Sequence, residues 1–159
     1  MSSARTSTLV KWLVSISRFA LILLFIFTAA AKLAIAKDFA LNVSQLLTSS
    51  GFPERWMWPV TIAVIALEII TAILLLLRPT VRLGAFVAAL LLLGFAGYAL
   101  YYVYVLHGEP LECGCFGGII ASQLGVKTAL RNLALLIPAI LVLFGYRREQ
   151  LRLSDPQPA

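Results

Sequence analysis

The chain holds two cysteines, one residue apart, in Glu112-Cys113-Gly114-Cys115-Phe116-Gly117-Gly118. Three chemistries fit such a pair. Bridged to each other, the sulfurs close a very small ring, and strained or exposed disulfides are the oxidising, exchangeable ones. A bridge placed for stability would more usefully join distant segments, because stabilisation grows with the loop closed. A structural disulfide or turn, shaped by the neighbouring glycines, is nevertheless a second reading. The third is a metal site, with His107 and either Glu109 or Glu112 completing the ligand set. Zinc needs four ligands in a structural site, or three plus water in a catalytic one. The chain has no second cysteine pair to offer, so no metal is assigned. Thiol–disulfide exchange, with Cys113 and Cys115 as the redox pair, comes first.

A second group of polar residues stands among apolar ones. Glu68 falls about eleven residues into the run from Trp58 to Leu77, near mid-membrane at about 1.5 Å per residue. A carboxylate at that depth is costly unless it is protonated, paired or facing a hydrated interior. Lys32 lies about one turn inside the end of the first apolar block, and Arg131 and Asn132 about one turn inside the start of the last. Lys32 and Arg131 therefore share a depth, and both side chains are long enough to reach toward Glu68. Intramembrane charge points to function by default, but helix glue and snorkelling explain it equally well. Arg18, toward the other end of the first block, is expected to snorkel to the headgroups.

The third block ends in Tyr98, Tyr101, Tyr102 and Tyr104, followed by His107. The plain reading is an aromatic belt at a membrane surface. The sharper one is that Tyr98, Tyr101 and Tyr102 share a helical face and, with His107, line a pocket. A quinone ring could stack there, although nothing in the sequence demands a cofactor.

The elements that carry these residues follow from composition. Of 159 residues, 61% are hydrophobic and 13% charged, and the mean hydropathy is +0.95. A soluble domain carries about a quarter of its residues as charges. Here the apolar residues form four long blocks, from about Trp12 to Ala36, Trp58 to Leu77, Leu83 to Leu106 and about Leu130 to Tyr146. Each is near the roughly 20 residues that cross a bilayer as a helix. The runs are continuous rather than alternating, which selects helices over barrel strands. The expectation is an all-α integral membrane four-helix bundle. Residues 1–11 form an N-terminal segment, 12–146 the membrane domain and 147–159 a tail. Ala34-Ile35-Ala36 looks like a signal-peptide cleavage site, but the block before it is longer than the usual ~7–15 residues and contains Arg18. A retained helix is expected.

The formal net charge of +6 does not point to nucleic acid, because its placement is that of a membrane protein. Arg5, Lys11, Arg78, Arg82, Arg147, Arg148 and Arg152 flank alternate ends of the blocks, whereas charges in the opposite loops nearly cancel. The positive-inside rule then places both termini in the cytoplasm and the loops 37–57 and 107–128 outside. In a bacterium this is the plasma membrane, with the cysteines facing the oxidising periplasm. Asp38 to Ser49 is expected to form a short outer interfacial helix, with Phe39, Leu41, Val43, Leu46 and Leu47 as its apolar positions. Ser50-Gly51-Phe52-Pro53 ends it, and Trp56 and Trp58 mark the entry of the second span. Gly94 and Gly97 are candidates for close helix approach.

Cys113-Gly114-Cys115-Phe116-Gly117, followed by Arg131-Asn132 opening the last helix, resembles the methylamine-utilisation protein MauE family. The earlier part is similar to the broader DoxX-like group. There a first helix has an Arg near its start (Arg18), a Lys near its end (Lys32) and a Phe just beyond (Phe39), and a Glu lies within the second helix (Glu68). Ala29 to Ala31 stand where that group has a glycine. The resemblance spans roughly residues 12–146. It implies a four-helix membrane protein acting in maturation of an exported, disulfide-rich enzyme such as methylamine dehydrogenase, beside a periplasmic thioredoxin-like partner. It further implies that Cys113 and Cys115 are the functional pair, with Glu68 and Arg131 as supporting polar residues.

Overall fold

A computed structural model describes residues 2–106 and 126–154, with side chains over 11–106 and 126–146. Every regular element in them is helical: α1 (Ser2–Ala34), α2 (Ala36–Ser49), α3 (Met57–Leu76), α4 (Val81–Tyr104) and α5 (Val126–Ser154), with 3-10 turns at Glu54–Trp56 and Arg78–Thr80. Four stretches are long and apolar enough to cross a membrane: Lys11–Ala34, Glu54–Leu76, Arg78–Tyr104 and Val126–Tyr146. The last starts before Leu130, because the helix continues through Lys127, whose exposed side chain can reach a membrane surface.

The side chains sort as lipid requires. On α1, Trp12, Ile16, Phe19, Leu23 and Ile26 face outward, while Val14, Leu21, Phe25 and Lys32 are buried. Large apolar residues thus cover the outside and one charge lies within.

The four long helices form a ring. α1 packs against α3 and α5, and α4 packs against the same two. Chain direction makes each neighbour antiparallel. One end of the bundle therefore gathers the C-terminal ends of α1 and α4, the N-terminal ends of α3 and α5, and α2. The other end holds the α3–α4 hairpin.

Close approach is set by Gly84, not by the expected pair. A Cβ on Gly84 would lie 2.7 Å from the Leu75 nitrogen, whereas Gly94 and Gly97 meet nothing within 4 Å. Gly84 belongs to a small-residue stripe with Ala85 and Ala88, both fully buried, which lets two helices touch by backbone. Gly145 likewise admits the Val14 side chain between α5 and α1.

Arg18 also departs from expectation. Its Nε donates to the Leu75 carbonyl and its Nη2 to the Leu76 carbonyl, both at 2.7 Å. The last carbonyls of a helix lack intrahelical donors, and in a membrane water does not readily supply them. The guanidinium fork therefore caps α3 instead of reaching for headgroups.

α2 ends in a Schellman motif. Gly51 adopts φ +78, its N–H donates to the Thr48 carbonyl at 3.0 Å, and the Phe52 N–H donates to the Leu47 carbonyl at 2.8 Å. A left-handed residue of this kind favours glycine. The apolar positions of α2 do not all face lipid: Phe39, Val43, Leu46 and Leu47 turn onto a cavity inside the protein, and Leu41 is exposed.

Candidate functional site

Packing of α1 on α3 brings two opposite charges together in the interior. Lys32 and Glu68 are each 2% exposed, and the Lys32 Nζ donates to Glu68 Oε1. One turn before Lys32, the Thr28 hydroxyl lies beside the same carboxylate but donates to the Phe25 carbonyl at 3.2 Å. The Phe39 and Phe95 rings each stand 5.5 Å from Nζ, within range of a cation–π contact. A buried pair is strongly interdependent: either charge left alone is far costlier than the two together.

Two cavities share Lys32 and Phe95 in their walls. The smaller, of about 20 Å³, is lined by Thr28, Lys32, Glu68, Phe95, Arg131 and Asn132 among others, a volume matching roughly one water molecule. Glu68 Oε2 and Asn132 Nδ2, both buried, find no hydrogen-bond partner among the described residues. An acceptor and a donor are thus placed around one water-sized space, where most native proteins leave few such groups unpaired.

The larger cavity, of about 250 Å³, lies under α2 and draws its walls from α1, α2, α3 and α4. Its lining is apolar (Phe39, Val43, Leu47, Phe52, Val64 and Phe95), with Lys32 the one charged side chain that the described residues contribute to the wall. At its edge the Tyr98 and Ser50 hydroxyls lie 3.0 Å apart. Both reach the Leu46 carbonyl, at 3.0 and 2.9 Å. This knot ties α4 to the last turn of α2.

The structure brings Lys32 and Glu68 together and sets Arg131 and Asn132 at the small cavity beside them. The tyrosines stay neighbours, with the Tyr98 and Tyr101 rings 6.3 Å apart, but they meet different surroundings. Tyr98 lines the larger cavity; Tyr101 is 43% exposed, and Tyr102, 3% exposed, packs in a cluster with Ala96, Ala99 and Ala129. His107, Glu109, Glu112, Cys113 and Cys115 lie outside the described residues. Sequence reasoning missed Thr28, Ser50 and Phe95. Helical spacing offered a signal for two of them, Thr28 four before Lys32 and Phe95 three before Tyr98; Ser50 had none beyond its place in a turn.

A chain whose described residues form four helices long and apolar enough to span a membrane, with an ion pair sealed between them, is a multi-pass integral membrane protein. Its sequence matches the family described as Methylamine utilisation protein MauE over residues 10–145, and the chain belongs to that family. No curated protein and no solved structure matches it significantly.

Proposed function

We propose that this protein supports thiol–disulfide chemistry on exported proteins, with Cys113 and Cys115 as the exchanging pair. The observation that carries the reading is topological. α4 ends and α5 begins at the α2 end of the bundle, so the segment bearing both cysteines is tethered at the end where the cavities and the buried pair lie. The opposite end carries exposed Lys11, Arg78 and Arg82, which by the positive-inside rule is the cytoplasmic one. The cysteines then face the periplasm, where disulfides persist.

In the exchange, a thiolate of a periplasmic thioredoxin-like partner attacks one sulfur of the Cys113–Cys115 disulfide. A mixed disulfide forms and the other cysteine leaves as a thiolate. The partner's second thiolate then attacks the mixed disulfide. The partner departs oxidised, and this chain keeps a dithiol holding two electrons. Membership of the MauE family supports an oxidised client of the methylamine dehydrogenase type.

Thiol alkylation of intact membranes, with and without reductant, tests this. A reductant-sensitive fraction of the Cys113–Cys115 pair is expected, and replacing the partner's second cysteine, the one that resolves the intermediate, should trap the mixed disulfide with this chain. Unchanged disulfide formation in the client of the double Ser variant, with the protein still accumulating, would leave the pair a structural feature of its loop.

A further inference from the structure

We propose that the cavity under α2 binds a quinone, whose carbonyl accepts a hydrogen bond from Lys32 and which takes the two electrons left on the cysteine pair. This rests on the exchange reading above for the source of the electrons, but the site itself is argued from its walls. At about 250 Å³ it is near the lower end of small-molecule sites, roughly 300–1,000 Å³, and suits a ring more than a long chain. The ring systems of Phe39, Phe95 and Tyr98 line it, and flat neutral rings pack well against such faces.

Charge narrows the ligand further. Lys32 is an ammonium with three donors and no acceptor, and Glu68 takes one of them. A purely hydrocarbon ligand would offer the remaining Nζ donors no acceptor beyond the Phe39 and Phe95 ring faces. An anion would set a second negative charge close to the Glu68 carboxylate, in surroundings of low dielectric where like charges repel strongly. A neutral molecule with a carbonyl oxygen avoids both costs. Of neutral carbonyl-bearing rings that dissolve in a bilayer, a quinone also matches the dithiol electron for electron. The dithiol loses two electrons and two protons and closes its disulfide; the quinone gains two of each and becomes a quinol.

The probe is a short-chain ubiquinone titrated into the full-length protein in detergent, followed by calorimetry. Saturable binding is expected. Val43→Phe on α2 and Val64→Phe on α3, each filling the cavity from a different wall, should bind about tenfold or more weakly, the scale of one overfilled side chain. Circular dichroism reports whether each variant keeps its helices. Photolabelling of the unaltered chain with an azidoquinone needs no variant, and label is expected within 39–52 or 60–64. Cys113→Ser/Cys115→Ser should bind as the natural chain does. The proposal is overturned by absence of saturable binding, by label confined to lipid-facing positions such as Ile16 or Leu23, by binding that both wall variants leave unchanged, or by decanoate binding as tightly as the quinone. The exchange reading is judged separately by the trapped mixed disulfide, which requires no quinone.

Discussion

The two halves of the bundle solve the same problem in opposite ways. At the hairpin end Leu21, Leu75, Val81, Ala85 and Val142 are almost fully buried, and Gly84 lets α4 touch α3 by backbone. The polar groups there serve the backbone: Arg18 caps the Leu75 and Leu76 carbonyls, and the Thr80 hydroxyl donates to the Leu74 carbonyl at 2.9 Å. At the α2 end the interior holds Lys32, Thr61, Thr128 and Asn132, with Glu68 near the middle, and two cavities. Lys32 and Glu68, paired with each other and not with backbone and placed beside open volume, depart from what stability alone would select. Such departures concentrate where a protein works.

The largest effect should come from splitting the pair. Glu68→Leu leaves the Lys32 charge alone in an apolar interior and should destabilise the protein by about 3–5 kcal/mol. Lys32→Met combined with Glu68→Leu removes both charges and should recover most of that loss, since apolar replacements of a whole buried pair are often neutral or stabilising. Thermal unfolding of the purified variants reads this directly. A single variant as stable as the natural chain would mean that the pair is not buried as described. A double variant no better than the single would mean that Lys32 and Glu68 act independently.

At the hairpin end effects should be smaller and purely structural. Arg18→Ala removes two charge-assisted bonds from the last carbonyls of α3, a loss of about 1.5–3 kcal/mol. Arg18→Lys should restore only part of it, because an ammonium lacks the fork that meets two neighbouring carbonyls. Gly84→Ala forces its Cβ against the Leu75 backbone and should cost about 1–3 kcal/mol. Gly97→Ala, in open space, should stay within about 0.5 kcal/mol. If Gly97→Ala proved the more damaging in unfolding measurements, the close contact would lie elsewhere on α4.

The sequence was most legible where one physical rule dominates. Long apolar blocks gave the four spans, because lipid leaves a backbone few alternatives, and depth along α1 and α3 made Lys32 and Glu68 candidate neighbours. It was least legible where rotation about a helix axis decides. Tyr98, Tyr101 and Tyr102 do lie together on one face, yet one lines a cavity, one is exposed and one packs with Ala129. Spacing cannot tell which neighbouring helix a face will meet. Arg18 shows a related limit: a charge near a helix end reads as a snorkelling group until the free carbonyls of another helix are seen beside it. The larger cavity was hidden for the same reason. Phe39, Val43 and Leu47 read as the lipid-facing side of an interfacial helix, and only the placement of α2 over α3 and α4 turns them inward.

The most local effect lies in the roof of that cavity. Gly51 has nothing within 4 Å of where a Cβ would sit, so Gly51→Ala carries no steric clash. Its penalty comes from φ +78, a left-handed conformation that costs an L-residue about 1–2 kcal/mol. Gly51→Asn should cost less, because asparagine tolerates that region better. The loss should be local. The Ser50, Gly51 and Phe52 amides close the last turn of α2, so their hydrogen exchange should accelerate while the amides near Leu75 and Val81 keep their protection. Equal acceleration at both ends would mean that α2 and the hairpin open as one unit, and the contrast between the two halves would then be one of composition and not of stability.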